Sequence, residues 1–271
     1  MKLSKIKQTA IAGFAALALL SGCAKSDFEK RKDLEKIVLS ESPKNQVVMF
    51  GESHNEYRRD NDFVIGLLPG LKKQGFEYFA VELTGKQSGS NMAQLSKIFK
   101  DYLLGLTTKE DITEEKYLFS LEELEVYTTG WLDLLAKAKE TGMKIVFYDA
   151  DHYEYSSFNH RDEIAFKNLR EIIFDKDPGA KVVIYCGRRH INEKEAYDKD
   201  VAKWEEESGL DKLDKDKKFK SVAYHLNLYT QGKLLTVSLK GSDKYVKYCD
   251  IDLDLDNNKC LRNKPKDYGG K

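Results

Sequence analysis

The chain has 271 residues, and its 45 lysines and arginines balance 45 aspartates and glutamates, for a formal net charge of zero. This balance argues against nucleic-acid binding as a main role, because such proteins need a strongly basic surface. The length is enough for one sizeable α/β domain or two small ones, and the charged third of the residues indicates a well-solvated surface.

The N-terminus has the three parts of a lipoprotein signal peptide. Three lysines lie among the first seven residues, the apolar run AIAGFAALALL occupies residues 10–20, and Leu-Ser-Gly precedes Cys23. Spanning a bilayer takes about 20 apolar residues, so a transmembrane anchor is the weaker interpretation. The match to the bacterial lipobox predicts that residues 1–22 are removed. It also predicts that lipid such as palmitate on Cys23 holds the exported protein on a membrane, with the outer membrane or cell surface favoured.

Removal of the signal peptide leaves 42 basic and 45 acidic residues, a net charge of −3. Residues 23–44 are charged and polar and are predicted to form a tether. The domain proper is predicted to cover residues 45–250, with a helical insertion at 85–142, and residues 251–271 form a C-terminal tail.

Short apolar runs alternate with helical patterns along the domain, which predicts an α/β fold. Each run is almost continuously β-branched or aromatic, as in strands that are buried on both faces of a mainly parallel central sheet. Helices are predicted at residues 61–74 and 162–174, flanking the sheet. The four strands are predicted at residues 46–50, 77–82, 143–148 and 181–186.

The rest of the domain is predicted from three further patterns. Apolar stripes at helical spacing within residues 85–142 predict a helical cap over one end of the sheet. Residues 192–220 are highly charged and indicate a solvated helix and loop. Residues 221–239 alternate around Thr-Gln-Gly and predict a C-terminal hairpin.

Three cysteines remain besides the lipid-bearing one. Cys249 and Cys260 have ten residues between them, and in an exported protein they either form a disulfide or remain two free thiols, with neither alternative favoured. Cys186 ends an apolar strand and is expected to be a small buried hydrophobe.

Polar residues stand at the carboxyl ends of the predicted strands. In an open parallel sheet, ligands bind outside these ends, so we expect the residues to share one rim. Arg161 opens the helix after the third strand, close enough in sequence to reach the same rim. The strand-end residues are Glu52, His54, Glu82, Asp149 and His190.

Structural roles compete with functional ones at several of these positions. Asp149 is equally well explained as the cap of a following helix, and we treat it as a secondary candidate. His152 and His160 lie in a predicted solvated loop, and His225 lies in a predicted strand, where a satisfied core histidine is the simpler interpretation. His54 and His190 follow two equivalent strand–Gly-x-x-His segments, which favours a shared site.

The runs VVMFGESHN, YFAVE, NHRDEIAFKNL and VVIYCGRRHIN, in this order, resemble the superfamily of Tiki/TraB proteases, erythromycin esterases and ChaN haem-binding lipoproteins. The resemblance covers about residues 45–240. Arg161, Asp162 and Ala165 also match a family pattern, although Ile164 stands where methionine is frequent. The site residues that the resemblance implies are Glu52, His54, Glu82, Arg161 and His190.

Two functions are compatible with this resemblance, since fold does not determine function. The favoured one is a hydrolase of an ester or peptide bond with a small-molecule or peptide substrate. In it, His54 accepts a proton from water or binds a divalent metal, Glu82 or Glu52 is its partner, and Arg161 and His190 stabilise the oxyanion. Zinc or manganese bound by His54, Glu82 and His190 is one version of this site.

The alternative function is a haem- or iron-binding surface lipoprotein of the ChaN type. The 15 tyrosines of the chain are compatible with it, because tyrosine is a haem ligand, although a count alone is weak support. The hydrolase is preferred because the complete set of acid, base and cationic residues is present.

Overall fold

The fold is an α/β sandwich around one seven-stranded sheet, seen in a computed structural model. The strands lie in the order β3-β2-β4-β1-β5-β6-β7, and all pairs are parallel except β6 with β7. The structure describes residues 26–53, 57–86, 91–114, 121–194, 203, 206, 218–239 and 249–261. The strands are β1 (Val47–Glu52), β2 (Phe76–Thr84), β3 (Lys144–Asp149), β4 (Lys181–Gly187), β5 (Leu234–Ser238), β6 (Ile251–Asp254) and β7 (Lys259–Cys260).

Seven α-helices accompany the strands within the described residues. A π-helical segment, Arg170–Phe174, extends the sixth of them, and a 3-10 helix, Arg188–Ile191, directly follows β4. The α-helices are α1 (Asp27–Glu41), α2 (Tyr57–Lys73), α3 (Asn91–Leu104), α4 (Lys109–Glu114), α5 (Leu121–Glu140), α6 (Phe158–Leu169) and α7 (Val222–Tyr229).

The central strands are buried on both faces, which explains their continuously apolar sequences. Val48 and Phe50 of β1 belong to one core, which the sheet forms with α1, α2, α3 and α5. Val47 and Met49 belong to the other, which the sheet forms with α6 and α7. The sheet therefore separates two apolar layers. The predicted mainly parallel α/β sheet with flanking helices is confirmed.

The segment predicted to be a tether forms α1 and packs on the domain. Ser26 caps it, because its hydroxyl accepts from the Glu29 N–H while the Glu29 carboxylate accepts from the Ser26 N–H. Leu34 and Val38 of the helix are buried in the first core. A Cβ at Gly70 of α2 would lie 2.8 Å from Leu39, so a glycine is what lets the two helices approach. The tether prediction is therefore wrong for residues 27–41.

The other patterns have mixed outcomes. The insertion forms α3, α4 and α5, and its buried side chains join the first core, so it covers a face of the sheet rather than only one end. The hairpin predicted at residues 221–239 is instead α7 followed by β5, which runs parallel to β1. Ser221 caps the helix, and Gln231 and Gly232 end it with φ angles of 54° and 81°. The antiparallel hairpin at the C-terminus is β6 with β7.

Cys186, Cys249 and Cys260 form no disulfide with one another. Cys249 is buried in the second core, whereas Cys260 packs against the first, on the opposite face of the sheet. The disulfide considered from the sequence is thus absent, because the sheet lies between the two side chains. Cys186 is fully buried, as expected for a small core residue.

Several expectations concern residues outside the described ranges. These include the signal peptide with Cys23, His54, most of the charged segment 192–220 and the end of the tail at 262–271. Within the described ranges, no helix has the length and apolar character to cross a membrane.

Candidate functional site

Three parallel strands bring carboxylates to one rim of the sheet, and Arg161 joins two of them. Its Nη2 lies 2.5 Å from Oδ2 of Asp149 and also donates to Oε1 of Glu82, while its Nε lies 3.2 Å from Oδ1 of Asp149. Glu82 is buried near the end of β2, two residues before its last residue Thr84, and Asp149 is the last residue of β3. Arg161 thus bridges neighbouring strands with charge-assisted hydrogen bonds.

His190 continues the same chain of contacts on the other side of Glu82. Its Nε2 lies 3.1 Å from Oε1 of Glu82, and its Nδ1 lies 2.9 Å from Oδ2 of Asp162. That Asp162 oxygen also accepts a hydrogen bond of 2.9 Å from the backbone N–H of Val222, at the start of α7. Carboxylates and cationic side chains therefore alternate along one connected row, which we call the ion network. Its members, in order, are Asp149, Arg161, Glu82, His190 and Asp162.

Backbone groups fix the carboxylates of the network in place. The N–H of Gly187, at the end of β4, donates to Oε2 of Glu82 at 2.6 Å. The N–H of Ala150 donates to Oδ1 of Asp149 at 2.8 Å, whereas the 3-10 helix that follows, His152–Glu154, is capped by Asp151 and not by Asp149. With these bonds Glu82 accepts from Arg161, His190 and Gly187 together.

Local structure explains how the sequence places the cations. Ser157 caps α6 by accepting from the N–H of His160, so Arg161 and Asp162 fall in the first turns of the helix, next to the strand ends. Consecutive residues of a helix point in different directions, and here Arg161 reaches Glu82 while Asp162 reaches His190. A Cβ at Gly51 would lie 2.8 Å from the Cα of Arg188, so this glycine lets β1 pack on the 3-10 helix that carries His190.

The charges of the network are perturbed by burial and by one another. Burial alone would lower the pKa of His190, but the carboxylates of Asp162 and Glu82 outweigh it and raise this pKa to about 10. His190 is therefore an imidazolium at neutral pH, and both of its nitrogens donate. Burial raises the pKa of Asp149 against the opposing effect of Arg161. Burial would lower the pKa of Arg161, but Asp149 and Glu82 raise it well above its usual value.

The other two predicted site residues of the rim are Glu52 and His54. Glu52 is buried at the end of β1, where the alternation set by Val48 and Phe50 directs it to the first core. Glu82 lies two residues after Ala80, which faces the second core, so Glu82 faces that side as well. The two glutamates thus share a rim but lie on opposite faces of the sheet. His54 lies outside the described residues.

The remaining histidines are structural where the structure describes them. The ring of His225 stacks on Phe166 with centroids 5.4 Å apart, on helix α7 rather than on the predicted strand, and burial lowers its pKa. His160 is exposed, and its Nδ1 accepts from the N–H of Ser156 at 3.4 Å. The side chain of His152 is not among those described.

Asp162 is the site residue that sequence analysis did not select. It is fully buried, and its Oδ2 lies 2.9 Å from Nδ1 of His190. The signal for it was present, because Asp162 stands directly after Arg161 in the segment that resembles the known superfamily. Its partnership with a histidine 28 residues later was not visible in the sequence.

The described residues do not fit a resident metal. No group of three histidine, cysteine, aspartate or glutamate side chains among them is arranged to hold a metal ion. In addition, both nitrogens of His190 face carboxylates, and Glu82 faces Arg161, whereas a metal ligand needs an available lone pair. The same engagement of His190 argues against its use as an axial haem ligand.

Comparison with known proteins yields only distant structural likenesses. No family model matches the chain, and no curated protein matches it in sequence. The type III effector HopBA1 is 14% identical, over 76% of this chain and 83% of that one, with a TM-score of 0.44. ChaN of Campylobacter jejuni, described with cofacial haem binding, is 14% identical over 80% of this chain and 90% of that one, with a TM-score of 0.40.

A third solved structure is the C-terminal region of Pasteurella multocida toxin, which is described as having a thiol-protease-like catalytic triad. It is 12% identical to this chain, with a TM-score of 0.47. The match covers 87% of this chain but only 26% of the toxin chain.

Proposed function

We propose that this chain is a hydrolase that cleaves an ester or peptide bond at the rim formed by the ion network. The observation that supports it most directly is the convergence of two cations, the partly buried Arg161 and the buried His190, on one oxygen of Glu82. Hydrolysis of a carbonyl compound develops negative charge on oxygen in the transition state. Cations fixed in advance around such a position lower the barrier, often by several kcal/mol.

The network supplies the rigidity that this role needs. Asp149 holds Arg161 through Nε and Nη2, and Asp162 holds His190 through Nδ1, the ring nitrogen that does not face Glu82. The Arg161 side chain remains 17% exposed, and its Nη1 group takes no part in the bonds to Asp149 and Glu82, which leaves donors for a substrate oxygen. The raised pKa of His190 keeps its imidazolium charged throughout the neutral range, so His190 contributes positive charge to the rim while its two N–H groups donate to Asp162 and Glu82.

We assign the general base to His54. Both carboxylate oxygens of Glu82 are occupied by donors from Arg161, His190 and Gly187, so Glu82 serves to position the two cations. A histidine has the ordinary pKa best suited to take a proton from water near pH 7. Membership of the Tiki/TraB, erythromycin esterase and ChaN superfamily, which the sequence motifs suggest, is part of this proposal.

The proposal includes export and a lipid anchor on Cys23. It rests on the signal-peptide pattern and the lipobox. Helix α1 begins at Asp27, which leaves three residues between the lipid-bearing cysteine and the folded domain. Metabolic labelling with a palmitate analogue tests it, with labelled wild type and unlabelled Cys23→Ser expected; a labelled Cys23→Ser chain contradicts it.

The hydrolase is tested with two probes, p-nitrophenyl butyrate for esters and fluorescein-labelled casein for peptide bonds. We expect Arg161→Met and His190→Gln to lower kcat/KM by about 100-fold or more on the probe that wild type cleaves. Arg170→Met is the matched control, since Arg170 lies one residue beyond the same helix, pairs with Asp175 and is exposed. Its activity is expected to stay within about twofold of wild type.

Three outcomes contradict the hydrolase: no cleavage of either probe, full activity of both site variants, or equal losses in the control. Absorbance of protein from haem-supplemented cells decides the alternative, since only a haem-binding protein shows a Soret band. Elemental analysis of the same sample tests for zinc or manganese.

A further inference from the structure

A groove follows the free edge of β3, away from the ion network's contacts. Among the described strands, β3 is the last at one end of the sheet and pairs only with β2. The groove has a volume of about 500 Å³, and its apolar lining includes Leu104, Ile145, Val146 and Ile172. Leu104 is 72% exposed and Ile172 is 37% exposed, so large apolar side chains border it without being covered.

The backbone of β3 offers hydrogen-bonding groups along this groove. The carbonyl of Tyr148 accepts from Nδ2 of Asn168 on α6 at 3.0 Å, so it points away from β2. Alternate residues of a strand direct their N–H and C=O groups to the same edge, which places those of Val146 at the free edge too. Within the described part of the chain, no helix or loop bonds to these two groups of Val146. Val146 is itself largely buried but lines the groove, and a strand edge that lacks a neighbouring strand accepts an added one.

Two ammonium groups border the apolar lining. Nζ of Lys100 lies 2.8 Å from the carbonyl of Gly85 and 5.5 Å from the centre of the Phe147 ring. Nζ of Lys139 lies 2.5 Å from the carbonyl of Leu103. Among the described residues neither has a carboxylate partner. By contrast, Lys97 pairs with Asp101 and Lys137 with Glu140, on the same two helices.

We propose that the groove binds an extended peptide segment of a partner protein, which adds to β3 as an eighth strand. The segment has apolar side chains for the lining and acidic residues for Lys100 and Lys139. The backbone edge favours a peptide over a fatty acid, because an acyl chain fills an apolar groove and neutralises an ammonium group but forms no bonds with Val146. Both charge complementarity and main-chain pairing are therefore required of the partner.

The test uses two pentapeptides with fluorescein on the N-terminal nitrogen, fluoresceinyl-Glu-Val-Ile-Val-Glu-amide and its counterpart with lysine at both ends. Fluorescence anisotropy measures their binding to the full chain. We expect the acidic peptide to bind at least about tenfold more tightly than the basic one. N-methylation of its central residues should weaken binding by a similar factor. The pair of substitutions Lys100→Glu and Lys139→Glu should reverse the preference. The matched pair Lys97→Glu and Lys137→Glu should leave the preference unchanged.

Any one of three results overturns the proposal: the two peptides bind equally tightly, N-methylation leaves the affinity unchanged, or neither peptide binds up to about 1 mM. Competition by dodecanoate together with indifference to N-methylation identifies an acyl-chain site and also overturns it. Circular dichroism of each variant confirms that the compared proteins are folded. All four lysines lie at the surface, so their substitution does not disturb either core.

Discussion

Substitution of Asp162 by asparagine tests the electrostatics of the site. It removes one charge from a pair with 2.9 Å between Oδ2 and the His190 nitrogen, and it changes the shape of the buried side chain very little. At an effective dielectric constant of about 20, two unit charges at that distance attract by about 6 kcal/mol. The remaining carboxylate of Glu82 and a hydrogen bond to the asparagine oxygen offset part of the loss. We expect the His190 pKa to fall from about 10 by about 2 or more.

The same substitution has a predictable effect on stability. The folded-state pKa of His190 is raised, so its stabilising contribution is complete below pH 6.5 and is lost as the pH rises towards about 10. Removing one partner of a buried ion pair costs about 3–5 kcal/mol. The free energy of unfolding should therefore fall by about 3 kcal/mol at pH 6, and the difference from wild type should shrink towards pH 10.

The assay combines an NMR titration of the histidine Cε1–H signals with urea unfolding at several pH values. Asp175→Asn is the control, because Asp175 is exposed and pairs with Arg170 at the surface. The reasoning is refuted if His190 of the wild type titrates near 6.5, or if Asp162→Asn leaves its pKa unchanged. A stability difference that does not vary with pH would also contradict it.

Three further predictions concern stability and thiols. Burial and the neighbouring Asp250 raise the pKa of Glu193 to about 8, so its contribution to the free energy of unfolding falls as the pH rises from 4.5 to 8. Glu193→Gln should remove this loss, which is on the order of 4 kcal/mol at pH 8, and urea unfolding at that pH measures it. In the folded protein, Ellman's reagent should react with the partly exposed Cys260 but not with the buried Cys249, whose pKa burial raises to about 12. Leu34→Ala should destabilise the domain by about 2–5 kcal/mol, because α1 belongs to the core.

Each of these has a distinct contradicting result. Equal pH dependence of wild type and Glu193→Gln would show that this carboxyl titrates normally. A disulfide between Cys249 and Cys260 in unreduced peptides would contradict the free thiols. If Leu34→Ala leaves the free energy of unfolding unchanged, α1 does not contribute to the core and the tether interpretation holds. Phe28→Ala is the control, since Phe28 is on the same helix and exposed.

The sequence alone was sufficient for features that depend on neighbouring residues. Strands buried on both faces have a recognisable run of apolar β-branched residues, and the four predicted runs are strands β1 to β4. Because parallel strands end at one rim, the sequence also indicated that four residues lie near one another: Glu82, Asp149, Arg161 and His190. The local pattern was misleading at residues 221–229, where the same apolar residues fit a strand or a helix. The cap at Ser221 and the parallel pairing of β5 with β1 select the helix.

Only the tertiary structure decided which of the rim residues touch. Glu82 meets the N–H of Gly187 across 105 residues, and this contact exists because β4 lies between β2 and β1 in the sheet. The same order of strands places Glu52 on the opposite face and brings Asp162 under His190. The two thiols near the C-terminus are likewise separated by the sheet. Strand order and facing depend on long-range packing of two cores, and no periodicity within one segment of the sequence records them.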